Sequence, residues 1–231
     1  MYRFLKNNIK SKFDNFYSFY DEYNILNCFV EIKNLDKNDK FCIVNFSVDN
    51  IEKFNKYFLY KKAINIAKIY HKDQKYSKNK LEYFFHLKKV DEVIDYFFYE
   101  MPNDKLFTLK TIAILHDIIE DTNFTKNDLY KTFNSEIGDA VMALTKKNRF
   151  KFSIIEKKYY KTVSNNNLSI YVKCADKIVN MKQTIKDKSL YHKLSMIKSH
   201  KIFSNIIYDK INDKILKNYL DLVYKKLKND E

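Results

Sequence analysis

The sequence predicts a mainly α-helical protein, and three observations lead there. The 231-residue chain contains one glycine and one proline, too few for the tight turns of an all-β fold. From residue 53 onward, apolar residues recur at helical spacing along most of the chain. With 45% hydrophobic and 31% charged residues, it can bury a core and falls outside the disordered class. Its length suits one full core with a small appendage.

Residues 1–50 read as an N-terminal extension of unassigned function. Phe13, Phe16, Tyr17, Phe19 and Tyr20 fit a short aromatic helix. Residues 28–32 and 41–46 are β-prone runs on either side of a turn-rich stretch, 34–39, so a β-hairpin is expected from them. Residues 51–231 read as the main domain, with a motif-bearing core over about 57–186 and C-terminal helices over 187–231.

Within that domain, Phe54, Tyr57, Phe58, Ala63, Ile66, Ala67 and Tyr70 form one apolar stripe, and their helix ends near His71. A lysine-rich loop spans 72–82. Val90, Val93, Ile94 and Phe97 mark a second helix, closed by Pro102. Leu106, Leu109, Ile112, Ala113 and Leu115 mark a third. Thr125 and Ser135 are N-cap residues for the next two helices. Further helices are expected over 153–163, 168–186, 189–208 and 211–228, with Asn165-Asn166-Asn167 as a break.

The composition excludes several function classes. P-loop, Rossmann and nucleophile-elbow sites need glycines at fixed points. No apolar run approaches the roughly 20 residues of a membrane span, so no membrane partner is expected. Cys28, Cys42 and Cys174 make no metal-finger spacing. Their odd, sparse count fits a reducing, cytoplasmic location. The net charge is +14, yet only Arg3 and Arg149 among the 43 basic residues are arginine. Phosphate and nucleic-acid readers usually use arginine forks as well. The lysine excess, beside abundant Asn, Ile, Tyr and Phe, therefore reads first as AT-rich coding drift and second as a preference for anionic ligands.

Three motifs carry chemistry. The strongest is His116-Asp117-Ile118-Ile119-Glu120-Asp121-Thr122. On a continuous helix, His116 and Glu120 are one turn apart, as are Asp117 and Asp121, so all four crowd one sector at the end of the third helix. Carboxylates at a helix C-terminus oppose the macrodipole by about 0.3–1 kcal/mol each, and such a cluster calls for a cation. Imidazole with carboxylate suits Mn, Fe or Zn. In the second motif, Asp176 shares an apolar sector with Val172, Ala175 and Val179, and a carboxylate there needs a partner. Asn180 lies one turn further on. The third is His86, opening the second helix. Taken singly, the motifs also fit a solvated helix end, a lysine-paired carboxylate and a core histidine. Together they offer four N/O ligands on three helices, with coordination positions left open.

That layout resembles the HD phosphohydrolases, and the motifs resemble most closely the hydrolase domain of the RelA/SpoT family, including its small metazoan members. Residues 67–74, with Ala67, His71 and Gln74, are similar to the family's opening A-x-x-x-H-x-x-Q. Residues 78–86, with Lys78, Tyr83 and His86, resemble K-x-G-x-P-Y-x-x-H-P without the glycine and both prolines. Residues 114–125 match L-L-H-D-x-x-E-D-T-x-x-T nearly throughout. Residues 133–137 and 144–146 resemble F-G-x-E-V and V-T-K. Residues 172–181 resemble V-K-L-A-D-R-x-x-N-M, with Lys177 for the arginine. In the first loop, Ser77-Lys78 is the nearest match to the family's polar-lysine pair, and it needs a one-residue insertion after His71.

The resemblance implies an HD-domain helical bundle that hydrolyses the alarmones ppGpp and pppGpp to GDP or GTP and pyrophosphate. It implies that His86, His116, Asp117 and Asp176 hold one Mn²⁺. Glu120 and Asp121 would act on the attacking water and the transferred proton, and Lys78 and Asn180 would face the nucleotide. His71 matches a motif position with a structural role. The 55 residues after Asp176 read as two helices, without space for the synthetase domain of longer relatives, which implies a stand-alone hydrolase. Three other readings remain open: an HD enzyme acting on another nucleotide such as NADPH, a basic nucleic-acid-binding module, and a regulator that keeps the pocket without turnover. Nucleic acid is the less favoured partner. Oligomeric state is not legible.

Overall fold

The structure, a computed structural model, describes residues 16–20, 26–31, 48–146 and 153–229, with side chains from 56 onward. Its described residues are mainly α-helical, as expected. The chain divides into two compact units, Met1–Phe58 and Leu59–Glu231.

The first unit contains a β-hairpin, but its strands differ from the expected pair. Strand β1 (Phe16–Tyr20) runs antiparallel to β2 (Leu26–Glu31), with Phe16 opposite Glu31 and Tyr17 opposite Val30. The segment with the pattern of an aromatic helix is therefore a strand over 16–20. Its aromatics have high strand propensity, and the short connection to β2 makes this pairing entropically cheap to close. Residues 41–46, the expected second strand, lie outside the described residues.

Helix α1 (Val48–Tyr70) leads into the second unit. The loop after it is more ordered than the sequence suggests. Lys75–Tyr76 (β3) and Leu81–Glu82 (β4) pair as a two-residue ladder. Its turn places Ser77 at φ 65° and Lys80 at φ 52°, left-handed positions that glycine occupies without strain. Helix α2 (Tyr83–Phe98) follows directly. Pro102 lies beyond the end of α2. It sits at the N-cap of α3 (Asn103–Leu115), where its missing N–H removes nothing.

The third helix stops before the motif expected to complete it. Leu115 is its last residue, Asp117 adopts φ −104° and ψ 0°, and a separate one-turn helix, α4 (Ile118–Asp121), carries Glu120 and Asp121. The four side chains thus sit on a bent junction instead of one helical sector. Asp121 N–H still bonds to Asp117 C=O at 2.9 Å, which keeps the bend compact.

Thr125 caps α5 (Lys126–Thr132) through a reciprocal capping box with Asp128. The cap of α6 (Ser135–Leu144) is Asn134, one residue before the expected Ser135. Helices α7 (Ser153–Val163), α8 (Asn167–Asp187), α9 (Leu190–Ile207) and α10 (Lys214–Asn229) follow close to the expected spans.

Every residue of α3 from Leu106 to Leu115 is buried, which marks it as the central helix. Helices α2, α6 and α8 pack against it, and α8 also packs against α2, α9 and α10. The N-terminal turn of α2, the end of α3 and the middle of α8 are thereby neighbours. Those three places carry His86, His116-Asp117 and Asp176.

Candidate metal centre

His86 lies in the first turn of α2, and the packing of α2 on α3 and α8 turns its imidazole inward. His86, His116 and Asp117 can each offer a ligand atom within 4.8 Å of the others. Asp117 Oδ2 is 2.9 Å from His116 Nε2 and 3.7 Å from His86 Nε2. Asp176 Oδ1 is 3.4 Å from His86 Nε2 and 3.7 Å from His116 Nε2. The four side chains singled out in the sequence as ligands therefore meet in one place. Both histidines are 2% exposed.

Tautomer and satisfaction point the same way. His116 Nδ1 lies 2.8 Å from the Ala113 carbonyl. Only a protonated Nδ1 can use that acceptor, which leaves the Nε2 lone pair for the site. His116 Nε2 makes no well-aligned hydrogen bond among the described residues, although Asp117 Oδ2 lies 2.9 Å away. A buried imidazole nitrogen that faces two carboxylates in this way fits a divalent cation of the Mn, Fe or Zn type. Electrostatics without a cation reflect the same need. Burial presses the His116 pKa down, but Asp117 and Asp176 outweigh it and hold it at about 10. Burial favours neutral carboxyls, yet His116 keeps Asp117 well below the ordinary range. Lys173 and the two histidines do the same for Asp176.

Glu120 and Asp121 stand beside these residues on α4. Burial raises the Glu120 pKa, against the pull of the Lys146 backbone N–H, which donates to Glu120 Oε2 at 3.0 Å. The Tyr83 hydroxyl donates its proton to Asp117 Oδ2 at 2.6 Å, and its oxygen also lies 3.2 Å from Asp121 Oδ2. Asn180 donates to Asp176 Oδ1 and lies 3.4 Å from the Tyr76 hydroxyl through its own Oδ1. Lys78 stands apart from this cluster. Its ammonium group donates to the Asp187 carbonyl at the end of α8.

Several supporting residues are not apparent from sequence reasoning. Tyr83 is only a motif letter there, and it bridges two of the acidic side chains. Its ring stacks on His71 at 4.9 Å. His71 Nδ1 meets Gln74 Oε1 at 2.8 Å, and Gln74 donates to the Asp121 carbonyl. His71 thus contacts the two side chains, Tyr83 and Gln74, that reach Asp121. Lys173 donates to Asp176 Oδ2 at 2.6 Å, so the lysine-paired reading of Asp176 is seen in its contacts, while its other oxygen, Oδ1, faces the two histidines. The ammonium groups of Lys146 and Lys173 lie 5.1 and 5.4 Å from the centroid of the Tyr159 ring. Tyr83 and His71 are findable as aromatics at fixed offsets from the motif. Tyr159 carries no sequence signal, because its role depends on how α7 packs.

No family model matches the chain. Among solved structures, it resembles that of a metazoan ortholog of SpoT, reported to hydrolyze ppGpp and to play a role in starvation responses. The TM-score is 0.62 at 16% sequence identity, over 73% of this chain and 94% of that one. At that identity the likeness is one of fold alone. No helix among the described residues is long and apolar enough to cross a membrane.

Proposed function

We propose that this chain is a metal-dependent phosphohydrolase that removes the 3′-diphosphate of ppGpp and pppGpp, leaving GDP or GTP and pyrophosphate. One observation carries the reading: two buried histidines and two carboxylates from α2, α8 and the α3–α4 junction meet in one place, with two further carboxylates beside them. The shared fold with a ppGpp hydrolase supports it. So does the order of motifs along the chain.

In this reading, His86, His116, Asp117 and Asp176 hold the metal, with Mn²⁺ as the expected ion. A divalent cation in such a site lowers the pKa of water and polarises a phosphoryl oxygen. The chain's own residues do the rest. Glu120, its carboxyl raised by burial, takes the proton of the attacking water and holds it at Oε1 or Oε2. Asp121, held by Tyr83 and through Gln74, orients that water. Lys146 and Lys173 offset charge on the phosphates. Asn180, fixed between Asp176 and Tyr76, and Lys78 contact the nucleotide. Residues 51–231 form the catalytic domain, and residues 1–50 are an N-terminal extension of unassigned function.

Pyrophosphate release from ppGpp with Mn²⁺ tests this, compared with a Glu120→Ala, Asp121→Ala double variant. Release by the wild type alone supports both the substrate and the acidic pair. Metal binding without release removes ppGpp and directs attention to other phosphorylated nucleotides such as NADPH. Failure to bind metal removes the centre itself.

A further inference from the structure

A second concave feature lies beside the metal centre and takes no part in it. It is a groove of about 380 Å³ between α2, α8 and α10. A volume of that size suits a nucleotide-sized ligand. Its walls combine aromatic faces and lysines. Phe97 and Tyr219 pack together at 5.4 Å on one side, and Tyr96, 73% exposed, lies at the rim.

The charges in the groove are unbalanced. Glu92 is its only acidic lining residue, and Lys89 already engages it at 2.6 Å. Lys182 and Lys186, one turn apart on α8, also line it. Neither has a carboxylate partner among the described residues. Lys182 instead holds its ammonium 5.0 Å from the Tyr219 ring centroid. Two exposed, unpaired ammonium groups beside aromatic faces complement an anion that carries a planar ring.

Tyr76 links this groove to the metal centre. It lines the groove, its ring packs 4.7 Å from His86, and its hydroxyl reaches Asn180. Occupancy of the groove therefore bears on the wall of the neighbouring pocket.

We propose that the groove binds a nucleoside diphosphate, with the base against Tyr219 and Tyr96 and the phosphates on Lys182 and Lys186. The inference goes beyond the hydrolase reading and does not need it. The remote end of the substrate and a separate nucleotide share this chemistry, and the kinetic arm below distinguishes them.

GDP is the probe, titrated by calorimetry into the full chain with a metal chelator present. Binding is expected without metal. Lys182→Glu with Lys186→Glu should weaken it about tenfold or more while leaving the melting temperature and Mn²⁺ affinity in place. Tyr219→Ala should weaken it too, and Lys186→Ala serves if the double variant fails to fold. Absence of GDP binding, or equal binding by the charge-reversed and wild-type chains, overturns the proposal. Pyrophosphate release is assayed separately, so a wild type that binds GDP here and releases none keeps the groove and loses the hydrolase. If there is turnover, GDP that raises KM for the wild type and not for the Lys182→Glu, Lys186→Glu variant identifies the groove with the substrate's remote end. GDP that alters kcat alone identifies a regulatory nucleotide. Both results sustain the site.

Discussion

Tyr83 donates its hydroxyl proton to Asp117 Oδ2 across 2.6 Å, the same carboxylate oxygen that lies 2.9 Å from His116 Nε2. The hydroxyl also reaches Asp121 Oδ2 at 3.2 Å. One phenol from the start of α2 thus contacts both Asp117, a proposed metal ligand, and its acidic neighbour Asp121. Outer donors of this kind are worth about 10–100-fold in metal affinity or activity. Tyr83→Phe keeps the ring on His71 and removes only the donor. Mn²⁺ affinity should fall by about tenfold, with little change in melting temperature. Calorimetric metal titration of the variant checks this, and unchanged affinity would remove Tyr83 from the centre.

The metal should also be a folding ligand. One buried and one half-buried carboxylate sit together with two buried histidines, and the imidazole proton and Lys173 offset their charge. A ligand that binds only the folded state stabilises it by about 2.7 kcal/mol at one hundred times its dissociation constant. Mn²⁺ should raise the melting temperature in a concentration-dependent way, and a chelator should reverse the rise. Asp176→Asn should abolish the shift. A melting curve indifferent to Mn²⁺ contradicts the centre.

Away from the site, Lys110 lies in the middle of α3 and is 2% exposed. Its ammonium is 2.7 Å from Asp95 and 3.5 Å from Asp91, and Tyr60 donates to the other Asp91 oxygen at 2.7 Å. Breaking such a pair strands a buried charge, at roughly 3–5 kcal/mol. Lys110→Met should destabilise the fold by that order in urea titrations. Adding Asp91→Asn should recover part of the loss, because burial already raises the Asp91 pKa to about 6. Full additivity of the two changes would argue against coupling.

His200 gives a pH dependence with a definite sign. It is 1% exposed and stacks on Tyr224 at 4.0 Å. Burial, aided by Lys177, lowers its pKa from 6.5 to about 3. Between those values the unfolded chain binds a proton that the folded chain does not. The contribution is therefore full above pH 6.5 and is lost as pH falls toward 3. His200→Phe retains the stack and removes the titration. Its urea midpoint should fall less than that of the wild type between pH 6.5 and 4.5. Parallel curves would place the acid sensitivity elsewhere.

Much of this protein is legible in its sequence. The scarcity of glycine and proline and the apolar period specify the helical class. Cap chemistry locates Thr125 to the residue, and His86, His116, Asp117 and Asp176 stand out because imidazole and carboxylate on otherwise apolar surfaces need partners. Local signals fail where two conformations are close in energy. The aromatic run 16–20 has the pattern of a helix and pairs as a strand with Leu26–Glu31. The spacing of His116 to Asp121 suits one helical sector, and the helix bends at Asp117.

The sequence by itself determined which side chains could hold a metal and in what order the helices carrying them occur. Periodicity and residue chemistry are local properties, so they can be read without knowing the fold. Only the tertiary structure decided that Tyr83 joins Asp117 to Asp121, that Lys173 rather than another lysine neutralises Asp176, and that Lys182 and Lys186 face a groove beside Tyr219. Most of those relationships span helices far apart in the chain. They exist because α3 is buried on every side, which forces α2 and α8 onto it and brings their polar residues together at one end.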